Sequence, residues 1–182
     1  MVPSFQKVRG GRSSRAAFLS LVFVLALLPG ATTALAKTGE HQLPFKGTLQ
    51  AAEVGIFDPG PPVTLAVTAT GSGHATHLGL FAYSYHVLIT FNFPFDFSGG
   101  GTIYYDLVAA NGDHLYSVGE GFGVVAPGMP DFNHVVEQHV ITGGTGRFAG
   151  ASGRYTVDRL ISHATGITSG TIDGYMVLAH DD

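Results

Sequence analysis

A carboxylate and an imidazole lie two residues apart in the segment "HVVEQHVIT", as Glu137 and His139. Side chains two apart on a β-strand point to the same side, so this pair would share a face with Val135 and Ile141. If that face lines an apolar cavity, burial would displace the pKa values of both groups, and they could exchange protons with a ligand. If it faces solvent or a neighbouring strand, the pair is structural. The sequence makes Glu137 and His139 candidate catalytic residues and leaves both roles open.

A second group of candidate side chains is aromatic. The segment "FNFPFDFSGGG", residues 91–101, alternates four phenylalanines with other residues, and an extended chain would place the four rings on one side. They could plug a barrel mouth, line a ligand site, bury in a subunit contact or simply fill a core. Pro94 rules out an ordinary central strand at that point. Nearby tyrosines could donate hydrogen bonds to a ligand or act as surface strand formers. The candidate ligand-binding residues are Phe91, Phe93, Phe95, Phe97, Tyr83 and Tyr85.

The segment "HATH" places His74 and His77 three residues apart. Two imidazoles can bind zinc or copper, but tetrahedral zinc takes three or four ligands, and a loop lacks the rigid helix of an H-E-x-x-H site. The chain has no cysteine, which excludes a thiolate metal site and a cysteine nucleophile. No segment resembles the motif around a serine nucleophile. The sequence therefore predicts no metal ion and no other cofactor, with His74 and His77 as the candidate metal pair.

The chain begins with the pattern of an export signal. Four basic residues within the first 15 positions precede an apolar run over 16–28, and the tripeptide "ALA" follows at 34–36. This order is typical of a signal peptide cleaved after Ala36. The apolar run is shorter than the roughly 20 residues that a membrane-spanning helix needs, which favours a cleaved leader over a retained anchor. We therefore predict a signal peptide over 1–36, a mature amino terminus at Lys37, and a secreted or periplasmic protein.

The remaining chain, residues 37–182, is acidic. It carries five Lys and Arg against 13 Asp and Glu, a formal charge of 5 − 13 = −8. Nucleic acids and anionic membranes need basic surface, so neither is an expected partner after leader cleavage. The length suits one domain with a sizeable core. Because there is no cysteine, that core must stabilise the domain without disulfides.

Short β-rich runs, each ended by Gly, Pro, Asn or Asp, recur throughout this domain, and no segment shows sustained helical periodicity. The Asn-Gly pair of "ANGDH" predicts a two-residue hairpin turn, and "SHATG" predicts another short turn; such links join antiparallel neighbours. Eight sequential antiparallel strands leave two open edges unless the sheet closes, which favours an up-and-down β-barrel over a two-sheet sandwich. The predicted strands are 44–53, 63–70, 80–91, 102–110, 114–124, 132–142, 154–163 and 168–178.

The segment "ITGGTGRFAGASG", residues 141–153, concentrates glycine between two predicted strands. A dinucleotide-binding fingerprint would need a helix after its last glycine, and a P-loop would need Gly-Lys-Ser/Thr. The segment instead continues into the strand-like "RYTVDRLIS". A flexible linker is also disfavoured, because the ring of Phe148 would anchor it to a core. We interpret it as a corner that needs positive φ and close backbone approach. Its structural residues are Gly143, Gly144, Gly146, Phe148, Gly150 and Gly153.

The same segment resembles the G-G-[TA]-G-x-F-x-G-A-x-G corner of the allene oxide cyclase and dirigent barrel superfamily. The segments "TATGSGHATHLG", "AANGDHLY" and "HATGITSGTIDG" are similar to secreted bacterial proteins assigned to that barrel, generally without a known activity. The resemblance implies an eight-stranded antiparallel barrel with an apolar cavity, often in an oligomer. It does not by itself imply cyclase chemistry, which in the plant cyclases of the superfamily is carried by a glutamate and a few polar residues near the first strand. Glu53 is the only carboxylate on that predicted strand, and its surroundings do not match the motif of the plant cyclases.

These patterns together predict an exported, single-domain, all-β barrel that binds a small apolar ligand in its lumen. Two alternatives stay open. One is a cyclase or isomerase that acts on a reactive hydrophobic substrate, with Glu137, His139 or Glu53 transferring protons. The other is a structural or interaction protein whose barrel is filled by its own side chains. A homo-oligomer is compatible with all three.

Overall fold

The computed structural model describes residues 41–92 and 97–179. Eight strands run antiparallel to their neighbours in chain order, and the last strand pairs with the first, so the sheet is a closed barrel. This confirms the predicted eight-stranded up-and-down barrel and excludes the two-sheet sandwich. The predicted signal peptide and the rings of Phe93 and Phe95 lie outside the described residues. Within the described ranges, no helix has the length and apolarity of a membrane span. The strands are β1 Leu43–Asp58, β2 Thr64–Ala75, β3 Gly79–Phe91, β4 Gly99–Ala109, β5 His114–Ala126, β6 Met129–Gly144, β7 Ser152–Ser162 and β8 Ile167–Val177.

Several strands extend further than their hydrophobic patterns predict. β1 continues past its predicted end to Asp58, which still pairs with Thr64 of β2. β2 continues to Ala75 through "GSGH", which looks like a turn by composition. Gly71 is required there, because a Cβ atom would lie 2.1 Å from the carbonyl oxygen of Gln50 on β1. Glycine in this strand therefore permits close approach of two strands and does not mark a turn.

The link between β4 and β5 differs from the predicted two-residue turn. It spans four residues, 110–113, and only Gly112 has a positive φ, of 87°. A two-residue type I′ turn needs positive φ at both central residues. The Ala109 N–H instead donates to the Asp113 carbonyl oxygen at 2.9 Å, which makes the link wider. The β7–β8 turn is short, as predicted, and ends at Gly166 with a φ of 66°.

The barrel has a closed end and an open end. The closed end contains the β2–β3 and β4–β5 links and the corner between β6 and β7, whereas the open end contains the other four links. Large apolar side chains, each at most 4 % exposed, fill the lumen at the closed end. The main ones are Phe45, Leu78, Phe81, Leu107, Leu115, Phe148 and Met176.

The glycine-rich corner lies at the closed end. After β6 the chain makes one 3₁₀ turn, Gly146–Phe148, and then enters β7. Gly146 has a φ of 53°, and a Cβ atom at Gly144 would lie 2.2 Å from the His114 carbonyl oxygen. Positive φ and close backbone approach are the two features that glycine alone tolerates here. Phe148 is fully buried, so the corner carries a ring into the lumen. Positive φ also occurs at Gly143, Gly150 and Gly153.

Candidate functional site

The middle of the lumen is polar, and Arg159 on β7 lies at its centre. Its Nε donates to Glu137 Oε1 on β6 at 2.8 Å. Its Nη1 donates to Glu53 Oε1 on β1 and, at 3.0 Å, to the Thr168 hydroxyl on β8. The Arg159 side chain is 5 % exposed, and those of Glu137 and Glu53 are 0 % and 10 % exposed. One guanidinium therefore links four strands. We call Arg159, Glu53, Glu137 and the adjoining His139 the ion-pair cluster.

Glu137 is fully enclosed, and both of its oxygens are hydrogen-bonded. Besides Arg159, it accepts from the Tyr105 hydroxyl at 2.8 Å and from His139 Nε2 at 3.1 Å, both on Oε2. Burial alone would raise the pKa of this carboxyl. The charge of Arg159 and the contacts with His139 outweigh burial and hold the pKa below its ordinary value of 4.5. Glu137 is therefore ionised at neutral pH.

His139 extends the ion-pair cluster toward the closed end. Its Nε2 faces a carboxylate, so that nitrogen carries a proton. Its Nδ1 lies 3.3 Å from Ser117 Oγ, which is 2.5 Å from the Tyr155 hydroxyl, and the imidazole stacks on Tyr155 with 4.8 Å between ring centroids. The imidazole fits against β5 because a glycine faces it: a Cβ atom at Gly119 would lie 2.6 Å from Nδ1. His139 is therefore held on all sides by protein.

Above the ion-pair cluster, the open end contains a cavity of about 460 Å³. Its floor is formed by Glu53 and Arg159, and most of its walls are apolar. The volume falls in the usual range of roughly 300–1,000 Å³ for small-molecule sites. Of the three candidate catalytic residues, Glu53 alone lines this cavity, since Glu137 and His139 lie beneath its floor. The aliphatic wall is formed by Val67, Val87, Ile89, Ile103, Val135 and Ile161.

Glycines on β4 and β5 make room for the cavity. A Cβ atom at Gly123 would lie 3.1 Å from Val135 Cγ2, and one at Gly121 would lie 2.7 Å from Ile103 Cδ1. Both positions therefore face the lumen, and a larger residue at either one would push a wall side chain into the cavity. The sequence signal for this feature is the glycine alternation in "GEGFG" together with "SGGG". On these two strands, the lumen-facing glycines that line the cavity are Gly99, Gly101, Gly121 and Gly123.

Two atoms of the cavity floor are available to a ligand. Tyr85 and Arg159 both donate to Oε1 of Glu53, and Arg159 bonds through Nε and Nη1. Glu53 Oε2 and Arg159 Nη2 therefore have no hydrogen-bond partner within the described part of the chain. The carboxylate oxygen of Glu53 is an acceptor, and the Nη2 group of Arg159 is a donor. The floor can thus bind one polar group of a mainly apolar molecule.

The two candidate tyrosines are buried beside the ion-pair cluster. Neither Tyr83 nor Tyr85 lines the cavity, and both residues are only 3 % exposed. Tyr85 donates to Glu53, whereas the Tyr83 hydroxyl has no hydrogen-bond partner among the described residues. Burial raises the pKa of both phenols well above its usual range. Both phenols are neutral. Tyr85 holds Glu53 by its hydrogen bond, and the Tyr83 ring packs against those of Tyr85 and Tyr105.

Phe91 and Phe97, the two candidate phenylalanines within the described residues, lie on the two sides of a chain reversal at the cavity mouth. The Asn92 N–H donates to the Ser98 carbonyl oxygen at 2.9 Å, and Phe97 has a φ of 62°, so the chain turns between β3 and β4. Phe91 and Phe97 both line the cavity, and Phe97 is 52 % exposed. Its ring stacks on His163, with 5.6 Å between centroids. These two candidate residues therefore lie at the entrance of the cavity.

The predicted metal pair lies outside the lumen. His74 belongs to β2 and borders an outer groove of about 970 Å³, and His77 lies in the β2–β3 link with a φ of 65°. That groove is larger than the cavity, but its polar lining residues, such as Thr48 and Ser72, form no buried network. In the described parts of the chain, no three His, Asp or Glu side chains are grouped so as to hold a metal ion. The lumen cavity is the better candidate site.

Sequence reasoning missed Arg159 and Thr168. A signal was present in the sequence, because Arg159 follows Tyr155 and Val157 at a spacing of two and so lies on the same face of β7. All three side chains are buried. A charged residue in an inward-facing position needs a partner of opposite charge. The partner Glu53 is 106 positions away along the chain, so only the barrel register identifies it.

In comparisons with known proteins, no family model, no curated protein and no solved structure matches this chain.

Proposed function

We propose that this protein binds a small, mainly apolar molecule in the cavity at the open end of the barrel. The observation that carries the proposal is the combination of an apolar cavity of about 460 Å³ with a floor formed by Glu53 and Arg159. Apolar walls stabilise a ligand by roughly 25 cal/mol per Å² of apolar surface removed from water. A polar group on the floor fixes its orientation.

The alternative of a structural protein whose barrel is filled by its own side chains agrees with the closed end of the lumen but not with the open end. Phe148 and its neighbours occupy the closed end, whereas glycines such as Gly121 and Gly123 keep the open end wide. Glycine in the interior of a strand is destabilising, because it loses more conformational entropy and buries no side chain. A column of glycines facing the lumen is therefore better explained by a need for space than by stability.

We further propose kinship with the allene oxide cyclase and dirigent barrels. The closed barrel of eight antiparallel strands supports it. The position of the "GGTGRFAG" corner between β6 and β7, with Phe148 buried in the lumen, supports it as well. Neither feature favours cyclase chemistry over ligand binding, because one fold serves many functions.

The first prediction concerns a residue of the cavity wall. Val135→Phe places a ring in the cavity, and we expect the affinity for N-phenyl-1-naphthylamine, a neutral apolar fluorescent probe, to fall at least tenfold, or about 1.4 kcal/mol. The matched control is Val136→Phe, since Val136 is the next residue on β6 and faces outward with 37 % exposure. It should bind the probe as the wild type does. Equal affinities in both variants, measured by fluorescence titration, would exclude the cavity as the binding site.

Proton transfer is a second candidate function, and the position of Glu53 favours it. Its Oε1 is held by Tyr85 and Arg159, and Glu53 lines the cavity with its second oxygen unbonded among the described residues. A positioned carboxylate next to an apolar substrate can act as a general base. Glu137 and His139 are not suited to this role, because both side chains are 0 % exposed and bonded to each other.

For this second candidate, we expect ligand extracted from the expressing cells to be converted by the wild type and not by Glu53→Gln. Removal of a general base typically lowers the rate by about 10²–10⁴-fold. The measurement is the mass and retention time of the extracted molecules before and after incubation with each protein. Unchanged ligands with the wild type, or equal conversion by Glu53→Gln, would leave binding as the function.

A further inference from the structure

The cavity floor contains two carboxylates around one guanidinium. Arg159 uses Nε for Glu137 and Nη1 for Glu53, so two of its three nitrogens already donate to anions. His139 lies on the far side of Glu137, and His163 lies at the rim of the cavity. In the described part of the chain, Arg159 is the only Lys or Arg that lines the cavity. An anionic ligand would bring a third negative charge to this guanidinium.

We propose that Glu53 determines the ligand class of this cavity: the cavity takes uncharged molecules that present an alcohol to the floor, and it rejects carboxylates of the same shape. This inference rests on the proposed binding function. It follows from the charges and hydrogen bonds of the ion-pair cluster, in which Glu53 Oε2 and Arg159 Nη2 have no hydrogen-bond partner among the described residues.

An alcohol fits this floor because a hydroxyl group is both a donor and an acceptor. Its O–H would donate to Glu53 Oε2, and its oxygen would accept from Arg159 Nη2. A ketone would leave Glu53 Oε2 without a donor, and an alkyl amine, which is protonated at pH 7 and only donates, would leave Arg159 Nη2 without an acceptor. An unpaired polar atom enclosed by the ligand costs free energy. A carboxylate would in addition be repelled by Glu53, at short range and with little screening by water.

The test uses three probes with one adamantane skeleton. 1-Adamantanemethanol, 1-adamantanecarboxylate and 1-ethyladamantane compete with N-phenyl-1-naphthylamine for the wild-type protein at pH 7. We expect the alcohol to bind at least tenfold more tightly than the carboxylate, or about 1.4 kcal/mol. We also expect it to bind more tightly than the hydrocarbon, because only the alcohol bonds to the floor.

The variant Glu53→Gln isolates the role of the carboxylate. An amide oxygen can still accept from Tyr85 and Arg159 but carries no charge, so affinity for 1-adamantanecarboxylate should rise and the ratio of alcohol to carboxylate affinity should fall about tenfold. Glu120→Gln is the matched control, since Glu120 lies on the exposed outer face of β5. It removes the same charge and should leave the ratio unchanged.

The outcomes separate this inference from the proposed function. If the carboxylate binds the wild type as tightly as the alcohol, or the hydrocarbon binds as tightly as the alcohol, the inference is wrong while binding in the cavity stands. The same holds if Glu53→Gln and Glu120→Gln have equal affinity ratios, or if the alcohol does not displace a bound probe. If calorimetry detects neither the naphthylamine nor any adamantane compound on the wild type, the proposed binding function itself fails.

Discussion

Replacement of Arg159 by methionine is expected to lower the free energy of unfolding by about 3–5 kcal/mol at pH 7. Methionine keeps most of the length of the side chain but removes the charge that offsets the buried carboxylate of Glu137. The cost arises because an unpaired charge in the lumen cannot regain its hydration. Urea denaturation of the wild type and the variant gives the difference in free energy.

The destabilisation should depend on pH in a defined direction. In the wild type, Arg159 holds the pKa of Glu137 below its unfolded value, so the stabilisation by this group is present above that unfolded value and is lost as pH falls through the folded pKa. Without Arg159, burial raises the folded pKa of Glu137 above the unfolded one. The contribution of Glu137 to the stability of the variant is then most favourable at low pH and becomes less favourable as pH rises through the unfolded pKa. We therefore expect the difference between the two proteins to shrink as pH decreases from 7 toward 4.5.

Two further variants serve as controls for this result. Arg154→Met removes an exposed arginine from the same strand and should change stability by no more than about 0.5 kcal/mol. Arg159→Met combined with Glu137→Gln removes the buried charge as well and should recover part of the loss. A pH-independent loss, or a loss of equal size in Arg154→Met, would contradict the assignment of Arg159 as the buried counter-charge.

Substitution of Gly144 by valine is expected to destabilise the barrel by about 3 kcal/mol. A Cβ atom at this position would lie 2.2 Å from the His114 carbonyl oxygen and 2.7 Å from the Cβ of Phe148. The first contact is with backbone, so β5 and β6 would have to separate at the corner. Phe148 would then lose part of its packing at the closed end. Thermal and urea unfolding measure the loss.

Gly128→Ala separates this steric effect from ordinary backbone strain. Gly128 lies in the β5–β6 turn with a φ of 74°, and a Cβ atom there would meet nothing within 4 Å. We expect a cost of about 1 kcal/mol from the positive φ alone. If Gly144→Val is no more destabilising than Gly128→Ala, the corner does not require close backbone approach.

The architecture could be predicted from the sequence because its signals are local. Alternation of residue types, turn residues and the absence of helical periodicity indicate antiparallel strands, and eight of them favour closure. The strand ends were less predictable, since Gly71 looks like a turn residue and in fact permits close approach to Gln50. The spacing of Glu137 and His139 correctly indicates that they share a buried face, but spacing cannot show how deep in the lumen they lie.

The cavity could not be predicted because it depends on the register between distant strands. Gly123 on β5 is level with Val135 on β6, and only this pairing shows that the glycine opens space beside a wall residue. Likewise Glu53 and Arg159 meet across 106 positions. A composition rich in glycine indicates flexibility or tight turns as readily as it indicates an internal void.

The side chains that fill the closed end also constrain the kinetics of exchange. Because Phe148 and Phe45 block that end, any molecule in the cavity enters and leaves by one route, past Phe97 at the mouth. A change that narrows this route slows association and dissociation by the same factor, so residence time lengthens while the dissociation constant stays the same. A change at the floor acts on the bound state and alters mainly the dissociation rate. The mouth thus sets the lifetime of a complex without changing its occupancy, whereas the floor changes both.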